Sequence, residues 1–389
     1  MNFFFTFLYN LAIQFYYTGV VITALWNNKA LVWLKGRKNQ FHEIKKVLDE
    51  NEYRAWFHCA SVGEFEQGRP LMEAYRKQWP QHKIILTFFS PSGFELRKNY
   101  AGADHIFYLP LDTYANAQRF VSLVKPQLAV FVKYEFWYHH LQTLQRANIP
   151  CILISGIFRK DQLFFKWYGK PWRCVLHFFQ HLFLQDETSL QLLQSIGIRQ
   201  ATVTGDTRFD RVWQIAQQPK TLPVLQSFKG TAKVFVAGST WPEDEQLLAE
   251  LILLKPSSWK WIIVPHELNK QHLEELKSKW NESVLYSTAS AQEIQDKRIL
   301  IVDEIGLLSS IYSYADMAYI GGGFGKGIHN LLEAAVYGIP VLFGPQYQQF
   351  NEAHALLKSG AAKTVRDSTE LIQAFHHFAG QPPAVAMIN

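Results

Sequence analysis

With 389 residues, 48% hydrophobic and 15% aromatic, the chain is too long for one ordinary core, suits two domains of roughly 150–200 residues each, and excludes a disordered polymer. Its three cysteines, Cys59, Cys151 and Cys174, build neither a disulfide framework nor a zinc site. The net charge of +6 suits an anionic partner; with no nucleic-acid motif in the chain, a membrane surface is the expected one and nucleic acid is not.

Residues 1–28 hold no Asp, Glu, Lys or Arg, and an apolar stretch runs from Phe3 to Trp26. That length can cross a bilayer as a helix. Lys29, Lys35, Arg37 and Lys38 follow, a basic flank that places the body of the chain in the cytoplasm. No basic segment precedes the apolar run, so a cleaved signal peptide is not expected. Thr6, Asn10, Gln14, Thr18, Thr23 and Asn27 trace a polar stripe, which would also suit a helix lying in the headgroup layer.

From residue 54, short apolar runs alternate with amphipathic stretches. Strands are predicted at Ala55–Cys59, Lys83–Phe88, Ile106–Leu109, Leu128–Val132, Cys151–Ser155, Leu182–Leu184 and Thr202–Thr204, with helices such as Gln67–Gln78 and Asn116–Lys125 between them. Gln214–Thr231 reads as a polar linker or domain boundary. The alternation resumes at Lys233–Ala237, Lys260–Val264, Arg298–Val302, Met317–Ile320 and Pro340–Phe343, and the tail from Gly380 reads as loose. Two such sets predict an α/β chain with two Rossmann-like, doubly wound domains facing a cleft, behind an N-terminal membrane-anchor helix. The expected boundaries are 1–30 for the anchor, 31–213 for the first domain and 214–389 for the second.

Ligands of such folds sit at the carboxyl ends of strands, and six motifs stand there. His58–Glu64 ends the first strand; Glu64 could take a proton from a hydroxyl, or complete a capping box with Ser61. Ser90-Pro91-Ser92-Gly93 is a hydroxyl-rich turn, and Lys133-Tyr134-Glu135-Phe136-Trp137 leaves a buried strand with a charged pair. In Gly205–Asp210, Arg208 could clamp a phosphate or carboxylate, or pair with Asp210. Gly238-Ser239-Thr240-Trp241-Pro242 opens a helix, and its Glu243-Asp244-Glu245 run complements the helix dipole rather than a metal. His266, after Pro265, could touch phosphate or base. The richest motif runs from Gly321 to Ala335. Its glycines would admit a nucleotide, the helix beyond would offer a positive end to phosphate, and Glu333 could bind ribose hydroxyls. It is neither a P-loop nor a G-x-G-x-x-G turn. A further stretch, Phe164–Arg173, mixes aromatic and basic residues, suiting a membrane interface or a buried aromatic helix.

Ser61-Val62-Gly63-Glu64, Gly238-Ser239-Thr240 and His329-Asn330 with Glu333, in this order and spacing, resemble the 3-deoxy-D-manno-octulosonic acid (Kdo) transferases of glycosyltransferase family 30, over nearly the whole chain to about residue 365. The resemblance implies a GT-B enzyme that transfers Kdo from CMP-Kdo to a lipid A precursor (lipid IVA) with inversion, on the cytoplasmic face of the inner membrane of a Gram-negative bacterium. Glu64 would match the general base, and Glu135 and Arg208 the transition-state stabilisers. Pro265, His266, Ile305, Gly306, Leu307, Asn330, Leu331, Leu332 and Glu333 would match the residues holding CMP. Gln349, Phe350 and Glu352 fall where the family has an Asn-Phe pair and a later acid. The chain departs from the pattern at Lys133, Arg208, His266, Leu307 and Gln349, and the loop before His329 is a residue short. No cofactor and no metal is expected. Two other readings fit the same motifs: a GT-B transferase using a UDP-sugar, and a membrane-anchored sugar-nucleotide-binding protein without catalysis.

Overall fold

The computed structural model describes residues 3–49, 52–254, 258–292 and 294–380; the tail expected to be loose lies beyond them. The chain divides into two units, Met1–Asp210 and Arg211–Asn389.

The first unit is built on seven parallel strands in the order β3-β2-β1-β4-β5-β6-β7. They are β1 (Arg54–Cys59), β2 (Lys83–Phe88), β3 (His105–Tyr108), β4 (Leu128–Val132), β5 (Cys151–Gly156), β6 (His181–Leu184) and β7 (Ala201–Val203). Continuous apolar runs such as Ile84-Ile85-Leu86 are buried on both faces, which is why they follow no alternation. The strand order reverses between β1 and β4, whose registers pair His58 with Phe131. In doubly wound sheets this switch point opens a crevice at the carboxyl ends of the strands.

The second unit repeats the plan in the order β10-β11-β9-β8-β12-β13-β14. Its strands are β8 (Lys233–Thr240), β9 (Trp259–Pro265), β10 (Ser283–Leu285), β11 (Ile299–Ile301), β12 (Met317–Ile320), β13 (Val341–Phe343) and β14 (Ala362–Thr364). Here the switch point falls between β8 and β12. Three-residue β10 and β14 are edge strands, too short to carry a periodic signal.

The stretch read as a linker, Gln214–Thr231, is instead largely helical, within Thr207–Gln217 and Pro223–Lys229. Leu222, Leu225 and Phe228 are buried, so a few well-spaced apolar residues override a polar composition, and Pro223 starts its helix in the first turn, where a missing N–H costs nothing.

The N-terminal helix, Phe3–Thr23, lies on the first unit along its length. Phe5, Tyr9 and Ile13 recur one turn apart and are buried in the core of that unit. Further along, Tyr16 packs on Trp33 and Phe89, each at 6.0 Å between ring centroids. The polar stripe begins at the protein: Thr6 Oγ1 lies 3.2 Å from Tyr138 Oη, and Asn10 Oδ1 lies 2.6 Å from His139 Nε2. Tyr9 Oη donates to buried Asp112 at 2.5 Å, beside the backbone N–H groups of His139 and His140. On the other side Phe7, Leu8, Leu11 and Phe15 are 41–69% exposed.

Candidate active site

At the switch point of the first unit, β1 runs into Ser61, which caps the Val62–Gln78 helix. Glu64 completes the capping box, accepting from Ala60 N at 2.5 Å and Ser61 N at 3.2 Å. The capping and catalytic readings are therefore not rivals, because the cap is what holds Glu64 in place. A Cβ on Gly63 would meet nothing nearer than Ser61 Oγ at 3.9 Å, so no protein atom presses on this turn. Glu64 is 9% exposed, and burial, then the neighbouring Glu135 charge, raises its carboxyl to about 8 against the two backbone bonds and Lys133.

Glu135 stands at the end of the adjacent β4, 8% exposed. Its Oε2 lies 2.8 Å from His58 Nε2 and accepts from Trp137 Nε1 at 2.5 Å. Lys133, between β4 and Glu135, takes a left-handed φ of 67°, strained for a lysine. Burial and then Arg208 lower its ammonium, while Asp206 and Glu64 oppose the shift. Arg208 pairs with Asp206: Nε–Oδ2 is 2.8 Å and Nη2–Oδ2 is 2.6 Å. Gln67, one turn beyond Glu64, donates to Asp206 at 3.3 Å, and Thr207 Oγ1 donates to the Gln67 carbonyl at 2.5 Å. Glu64, Lys133, Glu135 and the Asp206–Arg208 pair are thus neighbours at one sheet edge.

The second switch point brings Ser239-Thr240-Trp241, at the end of β8, against Gly321-Gly322-Gly323 after β12. A Cβ on Gly321 would collide with the Ser239 carbonyl, and one on Gly323 with the backbone of Gly344 at 2.6 Å. Backbone packing alone therefore requires glycine at both positions. The helix expected after Asn330 is only Leu332–Ala335, too short for the dipole attributed to it. Asn330 instead ties the turn together: its amide donates to Glu333 Oε1 at 3.0 Å and its Oδ1 accepts from Leu332 N at 3.3 Å. His266, after Pro265 at the end of β9, stacks on Trp241 at 4.8 Å and on His329 at 4.3 Å. Trp241 Nε1 donates to His329 Nε2 at 3.0 Å, which leaves the ring proton of a neutral His329 on Nδ1. Burial, then His266, lowers His329 to about 4, so it is neutral at physiological pH. Asp244, read as a first-turn dipole complement, is buried and accepts from Tyr319 Oη, Gly322 N and Trp241 N at 2.7–2.9 Å. Ile305 is 90% exposed, and Gly306 makes its turn at φ 84° ahead of Leu307.

A family model of 3-deoxy-D-manno-octulosonic-acid transferases matches residues 35–211. The Kdo transferase of Aquifex aeolicus is 27% identical over 344 residues, 86% of this chain and 89% of that one. That of Chlamydia trachomatis serovar A is 30% identical over 332 residues, 81% of this chain and 76% of that one. The chain belongs to the Kdo transferases. It is a glycosyltransferase, and its two parallel sheets are of the GT-B kind. UDP-GlcNAc 2-epimerase from Neisseria meningitidis shares this fold at a TM-score of 0.59 and 17% identity, over 85% of this chain and 92% of that one.

Within this Kdo transferase, two groups of site residues escaped the sequence reading. Trp137 and Trp241 sit inside motifs singled out above, but nothing local reveals that their indoles reach Glu135 and His329. Thr87 and His58 lie inside apolar strands; a buried polar residue in such a run was the available signal.

Proposed function

We propose that this Kdo transferase moves Kdo from CMP-Kdo to a hydroxyl of a lipid A precursor, lipid IVA, with Glu64 as general base. The observation that carries the proposal is the buried Glu64 carboxyl, raised to about 8 at the switch point beside Glu135. A carboxylate of that basicity is matched to deprotonating a hydroxyl near neutral pH. The acceptor oxygen attacks the anomeric carbon from the face opposite CMP and inverts it, through a transition state resembling an oxocarbenium ion. Glu135 faces that positive charge. Kdo is itself an acid, and Lys133 and Arg208 supply cations for its carboxylate and for the departing phosphate. CMP rests on the second unit against Pro265, His266, the Ile305-Gly306-Leu307 turn and Asn330–Glu333, with the Nδ1–H of His329 as a donor. No step is assigned to a metal or cofactor.

Residues Phe5–Thr23 form a helix long and apolar enough to cross a bilayer, with a mean hydropathy of 1.2. Its packing along the first unit supports an interfacial position instead, with Phe7, Leu8, Leu11 and Phe15 in lipid and Lys29, Lys35 and Lys38 on anionic headgroups of the cytoplasmic face.

The test is transfer of labelled Kdo to a tetra-acylated lipid A precursor by the full chain in detergent, with CMP-Kdo generated in situ. A Kdo-bearing lipid is expected from the wild type and none from Glu64→Ala. Normal turnover by that variant removes Glu64 from the mechanism, and competition by UDP in place of CMP reassigns the donor.

A further inference from the structure

His58 is fully buried, and its Nδ1 lies 2.9 Å from the Thr87 hydroxyl and 3.2 Å from the Thr87 carbonyl; the shorter contact, with the hydroxyl, sets the direction of the bonds around the ring. Trp56 Nε1 can only donate, and it does so to Thr87 Oγ1 at 2.8 Å. The Thr87 hydroxyl proton is then free for His58 Nδ1 at 2.9 Å, a better acceptor position than the Phe57 carbonyl at 3.4 Å. A neutral ring that accepts at Nδ1 carries its proton on Nε2, which lies 2.8 Å from Glu135 Oε2. Trp137 Nε1, donor only, reaches the same oxygen at 2.5 Å; its 3.2 Å approach to His58 Nε2 is then two donors converging on one acceptor. The chain Trp56–Thr87–His58–Glu135–Trp137 spends two donors on one carboxylate oxygen. Among the described residues no group bonds the other, Oε1.

We infer that His58 is a positioning residue: through its Nε2 proton it fixes the Glu135 carboxylate beside Glu64 with Oε1 left for the reacting sugar. This rests on Glu64 being the base. Two donated bonds fix the orientation of a buried carboxylate. Without the His58 donor, Glu135 keeps only the Trp137 bond and can turn, which weakens its repulsion of the Glu64 charge and its stabilisation of the oxocarbenium ion. The other ionisable groups whose charges bear on this pair are Cys59 at the end of β1, Lys133 and Tyr134 after β4, and Tyr9 on the N-terminal helix; Arg159, Asp206 and Arg208 act in turn on Lys133, and Glu66 on Cys59.

The experiment is the pH dependence of kcat and kcat/KM for the full chain in detergent, with His58→Leu, His58→Gln, Thr87→Val and, as reference, Glu64→Gln. A glutamine amide can replace the Nε2 donor; leucine cannot. His58→Leu is expected to lower kcat about 30–100-fold with KM values little changed, and to move the acidic limb of kcat/KM to lower pH. His58→Gln is expected to restore the limb and most of kcat. Thr87→Val, which releases the ring tautomer but leaves the Trp56 indole N–H without its acceptor, is expected to lower kcat by about threefold to tenfold; activity in His58→Gln guards against misfolding as the cause of the loss in the leucine variant. The inference is overturned if the limb stays in place in both His58→Leu and Thr87→Val, or if His58→Gln falls as far as His58→Leu. Full turnover by Glu64→Gln would instead remove the base itself, a distinguishable failure.

Discussion

Glu64 shows how one residue can serve structure and chemistry through the same bonds. Its Oε2 closes the start of the Val62–Gln78 helix, and its burial beside Glu135 keeps a proton on it to about pH 8. On the proposed role, kcat/KM should rise about tenfold per pH unit from pH 6 and level off above pH 8; a plateau already reached at pH 6 would contradict it. The same shift has a stability consequence. Because the folded-state value is raised, the folded protein binds more protons than the unfolded chain between about pH 4.5 and 8, so stability falls as pH rises through that window. Glu64→Gln cannot ionise. It should melt with the wild type at pH 4.5 and above it at pH 9, by on the order of 2–4 °C for each kcal/mol regained. A melting difference independent of pH would mean that the carboxyl is not raised.

At the scale of elements, the N-terminal helix is the informative one. Composition alone marked an apolar helix, but its polar stripe turned out to start at the protein, where Thr6 and Asn10 meet Tyr138 and His139. The contact reaches the catalytic edge: Tyr16 packs on Phe89, and Phe89 packs on Trp137 at 4.6 Å, the indole that donates to Glu135. Two classes of substitution should therefore separate. Leu11→Glu with Phe15→Glu, on the exposed side, should abolish flotation with anionic vesicles and leave the melting temperature unchanged. Tyr9→Phe, which removes a buried bond to Asp112, should cost about 1–2 kcal/mol of stability by denaturant unfolding. Unchanged vesicle binding by the glutamate pair would remove the interfacial reading.

At the scale of the molecule, both units use one device: parallel strands that fan outward from a switch point, with functional side chains at the strand ends there. The proposed division of labour gives the first unit the base and the second unit the nucleotide. His266→Ala should raise the KM for CMP-Kdo about tenfold or more, leaving the acidic limb of the pH profile where it is. Equal losses in kcat and no change in donor KM would take His266 out of the donor site.

Much of this was legible in the order of residues. Strands such as Lys83–Phe88, Leu128–Val132 and Met317–Ile320 appear where runs of buried apolar residues announce them, because covering both faces of a parallel sheet is a local compositional demand. The Ser61–Glu64 cap is likewise local, fixed by a spacing of three residues. Gln214–Thr231, by contrast, is helical because a handful of its side chains find a core that composition does not display. The partner of Arg208, the shortness of the helix after Asn330, and the chain of donors from Trp56 to Glu135 all depend on which strands become neighbours. His58 and Glu135 are 77 residues apart, and only the pairing of β1 with β4 brings an imidazole proton to that carboxylate.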